Sequence, residues 1–361
     1  MNYPRLAAYS GVKSNGAPLL NPDFTVNVDM CVKYARYGLV CVDMNSMLLQ
    51  PKLAAALRSA RSTVRIVGYN LTTHRWLPPS FVAQPSDKSL DAELHRLLQR
   101  TNGFLVQPPG VTGYEVDWSN KAVASGWTEL MCSVVATGLI DDVFLDYCAP
   151  EVAWVPIGDA DSDRVRVEHM KVLVQRIRAT GGTNMKVYGN GTGAQKLSLD
   201  GTMVEGFPGP VGPWDKALAQ KPGDWLKSEG QKGTLGDPRM ARLTLGTACL
   251  TGAYATHGTS HYVETPYDGT WWFPEYAVDP NGAPDPTGTF VGWLGEEMGA
   301  AINLGTGLWM RTFAHGCVLV NPTASAITKD FLHPTYKRIG APSTAERTFT
   351  VGGGDALFLR R

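Results

Sequence analysis

The chain has 361 residues, 43% of them hydrophobic, with 33 Lys and Arg against 33 Asp and Glu. That length is too great for one ordinary core of about 150 residues and suits a barrel of roughly 250 residues with an appendage. The neutral balance supplies no electrostatic drive toward nucleic acid or an anionic membrane, and it fits an uncharged ligand such as a sugar. The N-terminus, MNYPRLAAYSG, lacks a basic segment followed by an apolar run, so no signal peptide is expected. No apolar stretch reaches about 18 residues, so no membrane helix is expected either. The expectation is a protein that is cytoplasmic as synthesised and that, if it acts outside the cell, free or in a virion, gets there by lysis or another route. Six scattered cysteines without a CxxC read as buried, reduced thiols.

Over the first 280 or so residues, short apolar runs alternate with longer amphipathic ones, the rhythm of successive βα units. A strand at 5–9 precedes a helix near 29–37, a strand at 39–43, a helix at 51–62 with Pro51 in its first turn, and a strand at 64–70. A polar amphipathic helix is expected at 87–99. Residues 103–117, GFLVQPPGVTGYEVD, interrupt the rhythm and read as an inserted β-hairpin. A helix at 121–137, a strand at 142–147 and a long helix at 164–179 follow. Ser162 is the expected cap of that helix and Gly181-Gly182 its stop. Strands are then expected at 185–188 and 202–205, a helix at 239–250, and the seventh and eighth strands at 252–257 and 271–276. With 103–117 set aside the count is eight, which predicts a (β/α)8 TIM barrel over 1–295. A doubly wound sheet is the runner-up, disfavoured because no strand ends in a glycine-rich phosphate loop. After a Pro/Gly/Asp-rich loop at 277–290, short β runs at 309–313, 317–321, 348–351 and 356–359 predict a small antiparallel β domain over 296–361.

In such a barrel, side chains that do chemistry sit where strands end and βα loops begin. Several predicted strands end on a polar residue: Asp43, Tyr69, Asp146 with Tyr147, Asn190, Glu205 and Glu275. Most such residues cap helices or satisfy loops. Asp146 and Glu205 stand apart, because each closes an apolar strand, and Gly206 after Glu205 leaves room for a ligand. Two carboxyls across a barrel mouth suit glycoside hydrolysis: one protonates the leaving oxygen and the other attacks the anomeric carbon or activates water. Asp117 and Glu275 are the reserve acids. Tyr9, Tyr69, Trp118, Tyr147 and Trp271 are candidate ring-stacking residues, with Asp43, Asp117, Asn190 and Glu275 as further substrate contacts. No cofactor or metal site is expected. His257 and His261 are four apart in a strand-like run, GNGTGAQK lacks the phosphate-loop pattern, and no GxSxG elbow occurs.

Three stretches resemble uncharacterised TIM-barrel proteins grouped as hypothetical glycoside hydrolases, distant relatives of the endo-α-1,4-polygalactosaminidase barrels. FLDY after GLIDD is similar to their DG-x-F-x-D strand. YGNG followed by DGTMVEGF is similar to the next two strands, and WWFPEY, WLGEEMGAA and RTFAHGCVLVNPT to the C-terminal end. The resemblance implies a (β/α)8 fold, action on oligo- or polysaccharide, acid chemistry from Asp146 and Glu205, and substrate contact by Glu275. Asp142 replaces the usual glycine, and an extra Pro/Gly/Asp segment precedes Trp293. The competing expectation is a barrel that binds glycan, or builds a phage virion, without cleaving anything. No feature of the sequence sets an oligomeric state.

Overall fold

The computed structural model describes residues 2–9, 19–21, 23–72, 74–75, 82–84, 86–105, 114–148, 160–190, 194–207, 218, 222–230, 238–259, 272–332, 336–340 and 345–361. Eight strands close a parallel barrel. They are β1 (Leu6–Tyr9), β2 (Gly38–Asp43), β3 (Arg65–Leu71), β4 (Asp142–Asp146), β5 (Val187–Gly189), β6 (Gly201–Glu205), β7 (Trp225–Gly230) and β8 (Tyr254–Thr259). Each strand pairs with the next in chain order, and β8 returns to β1. Helices α1 (Val28–Ala35), α2 (Met44–Leu49), α3 (Lys52–Ala60), α4 (Leu90–Thr101), α5 (Lys121–Ala136), α6 (Ala160–Gly181) and α7 (Pro238–Thr251) lie between the strands in sequence. Asn27, Ser89 and Asn120 cap α1, α4 and α5, their side chains accepting the N–H groups of Met30, Ala92 and Ala122. None of the helices among the described residues is long and apolar enough to cross a membrane.

Alternation along each strand divides the core in two. Inward positions Ala7, Leu39, Cys41, Val67, Tyr69, Phe144, Tyr188, Met203 and Trp225 fill the barrel. Outward positions such as Leu6, Val40, Val42, Ile66, Val143, Leu145 and Val187 pack under the helices. Strands buried on both faces read as continuous apolar runs, which is why β2, β3 and β4 were legible. All six cysteines are buried and unpaired.

The last two barrel strands differ from expectation. The seventh is WLKSEG, Trp225–Gly230, whose polar letters hide a strand. The run at 252–257 therefore belongs to the eighth, Tyr254–Thr259. Residues 272–276 form a turn and no strand, and Trp271 lies outside the described residues. Pro274 explains this, because it cannot donate to a ladder in mid-strand. Trp272 and Tyr276 instead pack edge-on against each other and against Tyr37. Helix α6 begins at Ala160, so Ser162 sits inside its first turn and not at the cap. Around 103–117, Phe104 and Val116 bridge antiparallel as a hairpin would, and Tyr114–Glu115 also pairs with His74–Arg75.

The C-terminal sheet contains β9 (Ile302–Asn303), β10 (Trp309–Phe313), β11 (Gly316–Asn321), β13 (Lys337–Arg338) and β15 (Asp355–Arg360) in the order β9-β10-β11-β15-β13. A separate ladder joins β12 (Ile327–Asp330) to β14 (Thr348–Val351). One face of β11 and β15, with Val318, Val320, Ala356 and Phe358, shares the core outside the barrel. The other face, with Cys317, Leu319 and Leu359, builds a second core on Phe331, Tyr336 and Phe349. Gly246 of α7 lets the sheet approach, since a Cβ there would lie 2.6 Å from Ala356 Cβ.

Candidate active site

The inward alternation continues past the filled layers to the C-terminal ends of the strands. On β4, Phe144 points inward, so Asp146 does too. By the same step of two, Met203 leads to Glu205 and Trp225 to Lys227. Tyr69 is inward on β3, and Asn190 follows Tyr188 just beyond β5. Five consecutive strands therefore each deliver one polar side chain to the same end of the barrel.

These side chains form one hydrogen-bonded chain. Tyr69 Oη donates to Asp146 Oδ2 at 2.5 Å. Asp146 Oδ1 accepts the Tyr147 N–H at 2.9 Å and Asn190 Nδ2 at 3.1 Å. The same Asn190 Nδ2 donates to Glu205 Oε2 at 3.2 Å. Lys227 Nζ donates to Glu205 Oε1 at 2.6 Å, and Lys227 is buried while Glu205 is 39% exposed. One amide nitrogen thus sits between the two carboxylates, and their facing oxygens are no farther apart than the sum of its two bonds. Asp146 is buried, and burial raises its pKa above the usual carboxylate range. Three donors oppose that shift, while the charge of Glu205 adds to it.

Asp43 ends β2 on the inward face and caps α2, accepting the Ser46 N–H at 3.1 Å. Burial, with the charge of Asp91, pushes its pKa up to about 6. Tyr147 stands 40% exposed beside Asp146 with a left-handed φ of 47°, which turns the chain sharply out of β4.

Other expected contacts lie elsewhere. Trp118, expected to stack on a sugar, is a core residue: its Nε1 donates to the Thr72 carbonyl and its ring packs on Trp127. Asp117 closes a local turn by accepting from the Ser119 N–H and Oγ. Glu275 has Arg242 of α7 and Asp355 of β15 as charged neighbours, and burial raises its pKa. The Tyr9 side chain and all of Trp271 fall outside the described residues. Lys227 is the site residue that sequence reasoning missed. Its signal was the step of two from Trp225, open only to a reader who had already placed β7. No group of three His, Cys, Asp or Glu among the described residues could hold a metal ion.

No protein-family model and no curated protein matches the chain. Solved structures do. A maltogenic α-amylase from Thermotoga neapolitana aligns with 98% of this chain and 97% of its own, at TM-score 0.54 and 11% identity. A family-36 α-galactosidase from Geobacillus stearothermophilus aligns with 99% of this chain at TM-score 0.53 and 11% identity, and this chain spans 55% of it. An isomalto-dextranase from Arthrobacter globiformis, complexed with panose, aligns with 99% of this chain and 72% of its own at TM-score 0.50 and 11% identity. At these identities the likeness is one of fold: the chain shares the barrel architecture of these three proteins.

Proposed function

We propose that the protein is a glycoside hydrolase that cleaves an oligo- or polysaccharide between Asp146 and Glu205. The observation that carries this reading is the Asn190 amide shared by both carboxylates, which brings together two acids from β4 and β6 at the barrel mouth. Acids that served only to satisfy backbone would not need a common neutral partner. The three similar structures are named as an α-galactosidase, a maltogenic α-amylase and an isomalto-dextranase complexed with panose, which supports a carbohydrate ligand. Tyr147, exposed next to Asp146, is the aromatic face best placed to meet a ring. In this reading residues 1–295 carry the catalytic barrel and 296–361 a β domain that braces it.

The shared amide, with bonds of 3.1 and 3.2 Å, keeps the facing oxygens short of the inverting range, which supports retention. Inverting pairs are separated by about 6.5–9.5 Å to admit a water, and retaining pairs by about 5–5.5 Å. One carboxyl gives its proton to the glycosidic oxygen as the C–O bond breaks, and the other bonds to the anomeric carbon. Water then attacks that carbon, its proton passes to the first residue, and the ester bond breaks.

The test is product analysis on a panel of neutral and amino-sugar polysaccharides. New reducing ends should appear, the first product should keep the anomeric configuration of the substrate, and Asp146→Asn and Glu205→Gln should each abolish release. Sugar binding without new reducing ends, or undiminished release by both variants, would replace the enzyme reading with that of a glycan-binding barrel.

A further inference from the structure

Lys227 is a buried ammonium inside a neutral chain's barrel, and buried lysines are rare unless paired. Its register partners on the neighbouring strands are Glu205 and Thr256. Its Nζ takes Glu205 Oε1 at 2.6 Å, while Asn190 takes the other oxygen. We propose that Lys227 is a positioning residue that holds Glu205 charged and presents its Oε2 to the substrate, so that Glu205 is the attacking carboxylate and Asp146 the proton donor. This assignment rests on the hydrolase reading above.

The surrounding groups agree with that division. Around Lys227 and Glu205 are Asp146 from β4 with Tyr69 from β3 behind it, neutral Asn190 beyond β5, and Cys41 from β2, which feels the charges of Asp146, Asp43 and Lys227. Among these described groups the other charges are carboxylates, and Lys227 is the cation. Asp146 is the more buried acid, and among the described residues no ammonium sits on its oxygens, so a proton shared by the pair is held more readily there. In the reaction, Asp146 loses its proton to the leaving oxygen, Glu205 Oε2 forms the bond to the anomeric carbon, and the incoming water later returns a proton to Asp146.

Two measurements test this. The first is a carbon-13 titration of protein labelled at glutamate carboxyls, with the Glu205 resonance identified by its loss in Glu205→Gln. Lys227→Met should raise the Glu205 midpoint by about 1–3 pH units, the effect of removing an adjacent opposite charge. Lys227→Arg, which keeps the charge should the methionine variant fail to fold, should leave the midpoint near that of the native protein. An unchanged midpoint in a folded Lys227→Met, or an arginine variant that titrates one unit or more higher, would overturn the role of Lys227. This titration needs no turnover, so it reads Lys227 even if the hydrolase reading fails. The second is azide rescue: Glu205→Ala with azide should yield a glycosyl azide of inverted configuration. A glycosyl azide of retained configuration would make Glu205 the acid and overturn the assignment while leaving the hydrolase reading intact.

Discussion

At the N-terminal end of the barrel, four acids each accept a backbone N–H from a neighbouring strand or its approach. Asp141 takes Ile66, Asp142 takes Lys186, Asp200 takes Val187 and Asp224 takes Thr202, at 2.7–2.9 Å. At the C-terminal end, Asp146 and Glu205 are held instead by side chains from other strands: Tyr69, Asn190 and Lys227. The first arrangement seals strand starts, because a strand's first N–H has no ladder partner of its own and a carboxylate supplies one. The second satisfies one backbone group, the Tyr147 N–H on Asp146 Oδ1, and otherwise concentrates charge at the strand ends, where barrels carry their chemistry.

The largest effects should separate the two ends. Asp146→Asn is expected to lower kcat/KM by about 10²–10⁴-fold, the range for a positioned proton-transfer group. Its stability should stay level or rise at neutral pH, since burial raises the pKa of Asp146 and a charge there opposes folding. Thermal unfolding beside a kinetic assay checks both halves. A marked loss of stability would make Asp146 a structural acid and erase the contrast.

Asp142→Ala should do the opposite. Asp142 is fully buried, its carboxylate is gripped by Arg65 Nε and Nη2 at 2.8 and 2.5 Å, and it also accepts the Lys186 N–H. Truncation leaves that N–H unsatisfied and the guanidinium without its anion. The expected loss is about 2–4 kcal/mol, below the full penalty for a broken buried pair because the Arg65 side chain is 40% exposed. Denaturant unfolding measures it, and activity per folded molecule should survive.

How much of this was legible in the sequence follows from where an acid stands relative to its apolar run. VFLD and TMVE place their acids after the run, so the sequence puts Asp146 and Glu205 at the mouth, where the two carboxylates share the Asn190 amide. GLIDD, SLDG and PGDW place theirs before or at the start of a run, at the opposite end. Lys227 escaped because WLKSEG carries a Lys, a Ser and a Glu, and a hydropathy reading discounts such a run although Lys227 and Ser228 are both buried. Trp118 was misplaced for the converse reason. An indole beside Asp117 resembles a sugar platform, and only the packing of Trp127 and the Thr72 carbonyl reveals it as core. The C-terminal sheet was legible as strands, but its tight seat on α7 at Gly246 is a matter of three-dimensional approach.

Asp43 sharpens the comparison, since it sits at the mouth yet serves backbone like an acid of the other end. Burial and Asp91 raise its pKa to about 6. A raised folded-state value means the contribution to stability is present below about pH 4 and is lost as pH climbs through about 6. Asp43→Asn keeps a capping oxygen and has no charge to desolvate. The variant should therefore match the native protein near pH 4 and exceed it at pH 7, by on the order of 2 kcal/mol. Urea midpoints between pH 4 and pH 7 would show the two curves parting over that window. Parallel curves would mean the cap, and not the buried charge, governs this position.

Asp200 gives the smallest effect with the opposite sign. Burial tends to raise its pKa, but the Val187 N–H at 2.9 Å, Arg178 at 2.7 Å and Lys186 at 3.5 Å outweigh it and hold the carboxyl below its usual range. A depressed folded-state value contributes stability above the unfolded pKa of about 4, and that stability drains away as pH falls through the folded value. Asp200→Asn should cost about 1 kcal/mol at pH 7, with both cations partly in solvent. The gap between variant and native midpoints should close on acidification, where that of Asp43→Asn closes as well but from the other side. The sign at each position is thus set by whether cations and N–H groups outweigh burial, and not by the end of the barrel alone: Asp142, sealed at the N-terminal end, is raised despite Arg65. What sets Asp146 and Glu205 apart is that they share a neutral side-chain donor, Asn190, between them, whereas Asp142 and Asp200 each join an N–H at a strand start to a cation.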